Sequence, residues 1–112
     1  MKVLVTGSSG FIGSALVSRL RERGIETHGL DIKLPRWRVL HGDDHHVDVN
    51  DASAVDALLQ RVRPTRIVHL AARTDLSVDS VVKYNANIDG VVHLMCSAQQ
   101  GGTVSRILWP ST

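Results

Sequence analysis

A glycine-rich segment near the amino terminus, Thr6 to Gly13 (TGSSGFIG), constrains the fold more than any other feature of the sequence. The run Lys2 to Thr6 is rich in β-branched residues and predicts a buried strand. The stretch Phe11 to Arg23 predicts a helix that Gly24 ends, because apolar residues recur there at helical spacing, namely Ile12, Ala15, Leu16 and Leu20. A glycine turn that joins a strand directly to a helix is typical of phosphate-binding loops in α/β proteins.

Each glycine of the motif has its own physical role. Gly7 permits a tight turn, Gly10 lets the backbone approach a pyrophosphate, and Gly13 lets the helix pack closely on the strand. The helix N-terminus then presents N–H groups and a partial positive charge to the phosphates. Phe11 and Ile12, inside the motif, are also predicted to contact the bound molecule. GSSG on its own also suits an ordinary turn, so the interpretation needs a second element.

Asp31 supplies that second element of a dinucleotide site. It lies 18 residues beyond Gly13, at the end of a second predicted strand, Glu26 to Asp31, which has Gly29 near its centre. A carboxylate at this position accepts hydrogen bonds from the adenosine-ribose hydroxyls and repels a 2′-phosphate. The sequence therefore predicts a site that favours NAD over NADP, a preference that Lys33 and Arg36 would soften.

The remainder of the chain continues the alternation of strands and helices. The further predicted elements are a strand near His46 to Asp48, a helix from about Ala52 to Val62 capped by Asp51, a strand from Thr65 to Leu70, a helix from after Asp79 to about Gln100, and a strand from Ser105 to Trp109. Five strands alternating with helices predict an α/β, Rossmann-type doubly wound parallel sheet. Residues 1–112 are expected to form an NAD-binding Rossmann domain that is truncated after the fifth strand, with the catalytic and substrate-binding part downstream.

The composition argues against several classes of protein. The formal net charge is +2, and the basic residues are scattered among acidic ones, so a nucleic-acid partner is not predicted. No apolar run approaches the roughly 20 residues of a membrane helix, and no membrane partner is predicted. Cys96 is the single cysteine, which excludes an internal disulfide and fits a reducing cytoplasm. We expect Cys96 to be a small buried residue of a helix and the protein to be cytoplasmic.

Four further motifs follow the glycine loop and Asp31 in order: DVND at 48–51, VHLAA at 68–72, NIDG at 87–90 and PST at 110–112. Together these motifs resemble the NAD-dependent epimerase/dehydratase family of the extended short-chain dehydrogenases/reductases. Members of this family mostly act on nucleotide sugars. The resemblance covers essentially all 112 residues. It implies an enzyme that uses NAD, takes a nucleotide sugar as its small-molecule substrate and forms a homodimer when full length.

The resemblance also implies roles for the matching positions. The implied cofactor contacts are Asp48 and Val49 at the adenine, Leu70, Ala71 and Ala72 along the pyrophosphate and nicotinamide ribose, Asn87 in the helix beneath the site, and Ser111 after the fifth strand. Thr112 matches the catalytic Ser/Thr whose hydroxyl hydrogen-bonds the reacting substrate oxygen.

One departure from the family pattern affects the predicted chemistry. The family's acid/base pair is Tyr-x-x-x-Lys, whereas the sole tyrosine here, Tyr84, is followed four residues later by Ile88. The 112 residues alone are therefore predicted to be catalytically inactive. A non-catalytic dinucleotide-binding or redox-sensing module, and a dehydrogenase or reductase of the same superfamily, remain alternatives.

Three other polar segments allow two interpretations each. We interpret 43–46 (DDHH) as a solvated loop rather than a metal site, because four consecutive side chains project in different directions. His69 is predicted to be a packed residue with a satisfied ring rather than a catalytic group. Residues 73–75 (RTD) are either a substrate or cofactor contact or a surface ion pair.

Overall fold

The fold was obtained as a computed structural model, which describes residues 1–33, 43–71 and 80–109 and leaves the side chains of 80–89 undescribed. Within these ranges the elements are, in chain order, β1 (Lys2–Thr6), α1 (Phe11–Glu22), β2 (Glu26–Asp31), β3 (Asp44–His46), α2 (Ala52–Val62), β4 (Arg66–His69), α3 (Ser80–Gly101) and β5 (Arg106–Leu108).

The five strands form one parallel sheet in the order β3-β2-β1-β4-β5. The chain runs from the central β1 outward to β3, then crosses back to β4 on the other side of β1. This reversal creates a switch point between β1 and β4, where open α/β sheets bind ligands at the carboxyl ends of their strands. The predicted Rossmann-type sheet is thereby confirmed.

Both faces of the sheet are covered. On one face Val3 and Val5 pack against Val17 of α1. On the other face the buried cluster joins β1, β2 and β4 to α2 and α3 through Leu4, Leu30, Ile67, Val55, Leu58, Leu59, Val62, Leu94 and Ala98. Burial of this apolar surface is the main favourable contribution to folding. None of the helices in the described ranges is long and apolar enough to cross a membrane.

Helix α2 has the bounds that the sequence predicts. The Asp51 side chain accepts a hydrogen bond from the Ala54 N–H at 3.2 Å, which caps the N-terminus. The helix ends at Arg63, whose left-handed backbone (φ 52°) turns the chain into Pro64. Local capping and apolar periodicity agree here, so the sequence suffices to place both ends.

The third strand begins two residues earlier than the sequence predicts. Residues 44–46 pair with Gly29, Leu30 and Asp31 of β2, so the interpretation of 43–46 as a solvated loop is wrong. The Asp44 side chain is only 3% exposed and pairs with Arg21 of α1 at 3.2 Å. Polar side chains with partners on other elements hold this strand, and an analysis of apolar periodicity does not detect them.

The apolar spacing places helix α1 but does not identify its buried face: Ile12 and Ala15 are exposed, and α1 buries Gly13, Ser14 and Val17 against β1 and β2. The prediction that Cys96 is a buried residue is wrong, because Cys96 is exposed. The buried positions of α3 among the described side chains are Gly90, Leu94, Ser97 and Ala98, a stripe that Cys96 lies outside.

Gly7 and Gly24 share a left-handed backbone, with φ values of 70° and 75°, but differ in their surroundings. A Cβ on Gly7 would lie 2.8 Å from the backbone nitrogen of Ala71, whereas a Cβ on Gly24 would meet nothing within 4 Å. Alanine substitutions at the two positions therefore separate the energetic cost of backbone strain from the cost of steric overlap.

We expect Gly24→Ala to lower the free energy of unfolding by about 1 kcal/mol, the cost of a left-handed alanine. Gly7→Ala should lose a further ~1–3 kcal/mol, because its Cβ would overlap the backbone at Ala71. Urea unfolding followed by circular dichroism measures both losses. Equal losses in the two variants would contradict the close approach of the glycine loop to the end of β4.

Candidate functional site

The glycine loop is fixed to the end of β2 by backbone hydrogen bonds. The N–H groups of Gly7 and Ser8 both donate to the Leu30 carbonyl, at 2.8 and 3.3 Å. The Gly10 N–H donates to the Gly7 carbonyl at 3.1 Å, which closes the turn. The loop thus lies at the carboxyl edge of the sheet beside the switch point.

The first turn of α1 packs directly on this loop. A Cβ on Gly13 would lie 2.0 Å from the Gly7 carbonyl oxygen, and one on Gly10 would lie 3.3 Å from the same atom. The sequence led us to expect that Gly13 contacts the strand, but its close neighbour is the loop backbone. The N-cap residue, Gly10, has no side chain with which to cap the helix. The first-turn N–H groups of α1 therefore face the loop edge, where an anionic group would accept from them.

Asp31 is held beside the loop by two backbone donors. Its Oδ2 accepts from the Ser9 N–H at 2.9 Å, and its Oδ1 accepts from the Lys33 N–H at 2.9 Å. The Ser9 hydroxyl donates to the Lys33 carbonyl at 2.6 Å. These contacts fix the direction of the carboxylate and leave lone pairs on both oxygens for further donors. The sequence identified Asp31 but not Ser9, which occupies a variable position of the motif.

Gly29 has a role that the sequence analysis missed. A Cβ at this central position of β2 would lie 2.6 Å from the Ser8 hydroxyl oxygen. The absence of a side chain therefore lets Ser8, which is buried, sit over the strand. A glycine in the interior of a strand is a known indication of such close approach, and this was the available signal.

A buried hydroxyl joins β1 to the end of β4. The Thr6 Oγ1 accepts from the backbone N–H groups of Leu70 and Ala71, at 3.0 and 3.1 Å, and lies 2.7 Å from the His69 Nδ1. With both lone pairs used, the hydroxyl proton must be donated to Nδ1. His69 therefore carries its own proton on Nε2. His69 is a packed residue, as predicted, since it is 6% exposed and its Nδ1 has a partner in the Thr6 hydroxyl.

The segment after β3 contains the predicted adenine contacts. The Asp48 Oδ1 accepts from the Asn50 N–H at 2.9 Å, which orients the carboxylate. Gly90 of α3 lies over this turn: a Cβ there would be 2.8 Å from the Asn50 Oδ1 and 3.5 Å from the Val49 Cγ1. The glycine of the NIDG motif thus allows α3 to approach the turn that carries Asp48 and Val49.

The structure brings most of the described candidate residues to one edge of the sheet. The glycine loop lies against Leu70 and Ala71 on one side and Asp31 on the other. Phe11 and Ile12 project from the start of α1 with 90% and 68% of their surface exposed. Residues 72–79, with Ala72 and 73–75, and residues 110–112, with Ser111 and Thr112, lie outside the described residues, and only the helical backbone of Asn87 is described.

Burial lowers the pKa of the His69 imidazole below its ordinary value of 6.5. The folded protein thus takes up a proton at this ring less readily than the unfolded chain does. The stability that the neutral ring contributes is complete above about pH 6.5 and is lost as the pH falls toward the folded-state pKa.

His69→Asn keeps an acceptor atom for the Thr6 hydroxyl and cannot take up a proton. We expect it to lose less free energy of unfolding than the wild type between about pH 8 and about pH 5. His46→Asn, at an exposed position of β3, is the matched control and should follow the wild type. The same loss in all three proteins would show that protonation of His69 does not limit stability in acid.

Comparison with known proteins identifies the family of this chain. The model of the NAD dependent epimerase/dehydratase family matches residues 3–112. The UDP-glucuronate 4-epimerase 5 of Arabidopsis thaliana is 32% identical over the whole of this chain, which spans 29% of that protein.

Two solved structures show the same fold. The Thermus thermophilus UDP-glucose 4-epimerase in complex with NAD has a TM-score of 0.80 and 36% identity, over 92% of this chain and 35% of its own. The holo L-threonine dehydrogenase of Cupriavidus necator has a TM-score of 0.86 and 26% identity, over all of this chain and 37% of its own. The chain thus spans about a third of the relatives it matches. It belongs to the NAD dependent epimerase/dehydratase family.

Proposed function

We propose that residues 1–112 form the NAD-binding domain of a nucleotide-sugar epimerase or dehydratase, and that they bind NAD without turning over a sugar by themselves. The observation that carries this proposal is the joined arrangement of the glycine loop, the start of α1 and Asp31. A single residue, Ser9, contacts both Asp31 and the turn after it. An acceptor for ribose hydroxyls and a site for phosphate thereby lie side by side.

The geometry fits a dinucleotide at this edge. Gly7 and Gly13 let the loop pack backbone against backbone on the end of β4 and on the first turn of α1, because a Cβ at either position would overlap those atoms. Gly10, at the N-cap of α1, places no side chain between a pyrophosphate and the first-turn N–H groups. Asp31 is oriented toward the loop before any ligand arrives, which reduces the entropy lost on binding. The carboxylate also disfavours a 2′-phosphate, in keeping with NAD rather than NADP.

The remaining positions extend the proposed site along the carboxyl edge. The proposed contacts are Asp48 and Val49 to the adenine, Leu70, Ala71 and Ala72 to the pyrophosphate and nicotinamide ribose, and Phe11, Ile12 and Ser111 to neighbouring parts of the cofactor, with Asn87 supporting the backbone beneath. Thr112 is proposed to donate its hydroxyl hydrogen bond to the reacting oxygen of the substrate. Bound NAD supplies a hydride acceptor for the transient oxidation of a sugar carbon.

The proposed substrate class rests on the relatives. They include UDP-glucuronate 4-epimerases and a dTDP-L-rhamnose 4-epimerase of Burkholderia thailandensis, and a solved UDP-glucose 4-epimerase of Thermotoga maritima contains UDP-glucose. A nucleotide sugar is therefore the proposed substrate of the whole enzyme, which is also proposed to be a homodimer and cytoplasmic.

Two alternatives fit the same observations. One is a dinucleotide-binding or redox-sensing module without turnover, because the glycine loop and Asp31 require only a bound dinucleotide. The similarity to an L-threonine dehydrogenase favours an oxidoreductase of the same superfamily. Both share the cofactor site proposed here and differ from the leading proposal only in what is done with the bound NAD.

Asp31→Asn tests the cofactor site. We expect NAD to bind the variant about tenfold more weakly, because charge-assisted hydrogen bonds to the ribose contribute ~1.5–3 kcal/mol. The ratio of NADP to NAD affinity should rise as the repulsive charge is removed. Isothermal titration calorimetry with both dinucleotides gives the two dissociation constants.

Glu22→Gln is the control for this experiment, since it removes one carboxylate charge at the exposed end of α1. It should leave both affinities unchanged. The wild-type chain failing to bind NAD, or the Asp31 variant binding both dinucleotides as the wild type does, would contradict the proposal.

Turnover provides a separate prediction. When the 112 residues are incubated with NAD and UDP-glucose or UDP-glucuronate, we expect no epimerised product. These residues contain no Tyr-x-x-x-Lys pair, and proton transfer by a positioned acid/base group contributes ~10²–10⁴-fold to rate. Chromatography of the nucleotide sugars detects the product. Epimerised sugar formed by this chain alone would contradict the assignment of a binding role to residues 1–112.

A further inference from the structure

His28 of β2 and His45 of β3 face each other on neighbouring strands, outside the cofactor site. The His28 Nδ1 and His45 Nε2 are 3.1 Å apart, the ring centroids are 5.4 Å apart, and the ring planes differ by 14°. The centroid separation equals the N···N distance plus the distance from each ring centre to its own nitrogen. The two nitrogens therefore lie on the line between the centres, and the rings meet head-on in nearly one plane.

This arrangement holds a proton and not a metal ion. A metal ion midway between the two nitrogens would lie only half of 3.1 Å from each, well below the ~2.0 Å length of a zinc–nitrogen bond. In the described ranges, no group of three or more His, Cys, Asp or Glu side chains is placed to hold a metal ion. The contact is an N–H···N hydrogen bond, which requires one hydrogen and one lone pair.

The neighbours decide which ring donates. The His28 Nε2 is 2.8 Å from the Glu26 Oε2, a carboxylate oxygen that only accepts, so Nε2 carries the proton of the neutral ring. The His28 Nδ1 is then an acceptor, and His45 donates to it from Nε2. This leaves a lone pair on the His45 Nδ1, which faces the Arg61 guanidinium at 3.5 Å.

Charged groups from every neighbouring element face this pair. Besides Glu26 and Arg61, the Asp43 Oδ1 lies 3.8 Å from the His28 Nδ1, and the Lys2 ammonium lies 3.6 Å from the Glu26 Oε2. From the other face, Asp44 is paired with Arg21 of α1.

Burial, followed by the charges of His28 and Arg61, lowers the pKa of His45, while Asp43 and Asp44 act in the opposite direction. With both rings neutral the pair holds two protons, and its hydrogen bond is intact.

We propose that the His28–His45 pair is a proton-controlled link between β2 and β3 that sets the position of the adenosine end of the cofactor site. One added proton leaves the N–H···N bond in place between the rings, with the outer nitrogen of His45 protonated and turned against Arg61. With a second added proton no lone pair remains between the rings, so two N–H groups oppose each other and the link opens. Acid thus releases β3 once both rings are charged.

Strand β3 transmits this change because it is short and lies at the sheet edge. Its three residues pair with β2, and the Val47 N–H just beyond it donates to the Asp31 carbonyl at 3.0 Å. Asp48 follows immediately along the chain. Release of β3 therefore moves Asp48 and removes a restraint on Asp31. This coupling to affinity rests on the proposed NAD site, whereas the proton arrangement of the pair does not.

The first test uses the wild-type chain without ligand. Long-range ¹H–¹⁵N correlation spectra distinguish the protonated nitrogen of each imidazole. At about pH 8 we expect both rings protonated on Nε2 and unprotonated on Nδ1. A proton on the Nδ1 of His28 would overturn the proposal, whatever the chain binds.

The second test compares the wild type, His45→Gln and His46→Gln. The carboxamide of His45→Gln donates to His28 at neutral pH and rotates to accept from it in acid, so it keeps the link at both. Between about pH 8 and about pH 5, we expect the NAD affinity of the wild type and of the His46→Gln control to fall about tenfold, measured by calorimetry. His45→Gln should fall by much less.

The outcomes separate the two proposals. NAD binding with the same loss of affinity in all three proteins would overturn the role of the histidine pair and leave the NAD site standing. No NAD binding at about pH 8 would overturn the proposed function. In that case the tautomers and the free energies of unfolding at both pH values would still test the link between β2 and β3 in the same three proteins. The link is supported if His45→Gln loses the least free energy of unfolding in acid. It is overturned if the three losses are equal.

Discussion

At the carboxyl edge of the sheet, the first turn of α1 rests on the Gly7 carbonyl, at a distance that leaves no room for a side chain on Gly13. This contact fixes where the helix begins and therefore where its N–H groups point. It also holds the loop against the end of β4, since Gly7 leaves no space for a side chain beside Ala71. The arrangement of the site follows from backbone packed on backbone, which only glycine permits.

The polar side chains at this edge are engaged before any ligand binds. The Thr6 hydroxyl, the Asp31 carboxylate and the Asp48 carboxylate each accept at least one backbone N–H. Each is thereby oriented by its own neighbourhood, and the buried donors have the partners they require. A site of this kind needs little rearrangement to receive a ligand, so more of the interaction energy appears as affinity.

How much of this was predictable depended on whether the cause was local. Helix α2 has both its predicted ends because the Asp51 cap, the apolar stripe and Pro64 are adjacent in sequence. The glycine loop and Asp31 were identified because their spacing is itself the physical requirement. Strand β3 was misplaced because it is held by polar side chains whose partners, His28 and Arg21, lie some 20 residues away. Ser9 and Gly29 were missed for the same reason: their partners come from the neighbouring strand or loop.

The order of the strands has a consequence for how the chain acquires its structure. Strands β1 and β2 with α1 are neighbours in sequence, but β1 also pairs with β4, and the Lys2 N–H reaches the Thr65 hydroxyl 63 residues away. On a ribosome β1 emerges long before β4, and until then one edge of β1 remains unpaired. Closing that long loop costs entropy before the strand pairing is gained, which slows assembly of the sheet centre. During synthesis the unpaired edge of β1 therefore needs protection from aggregation.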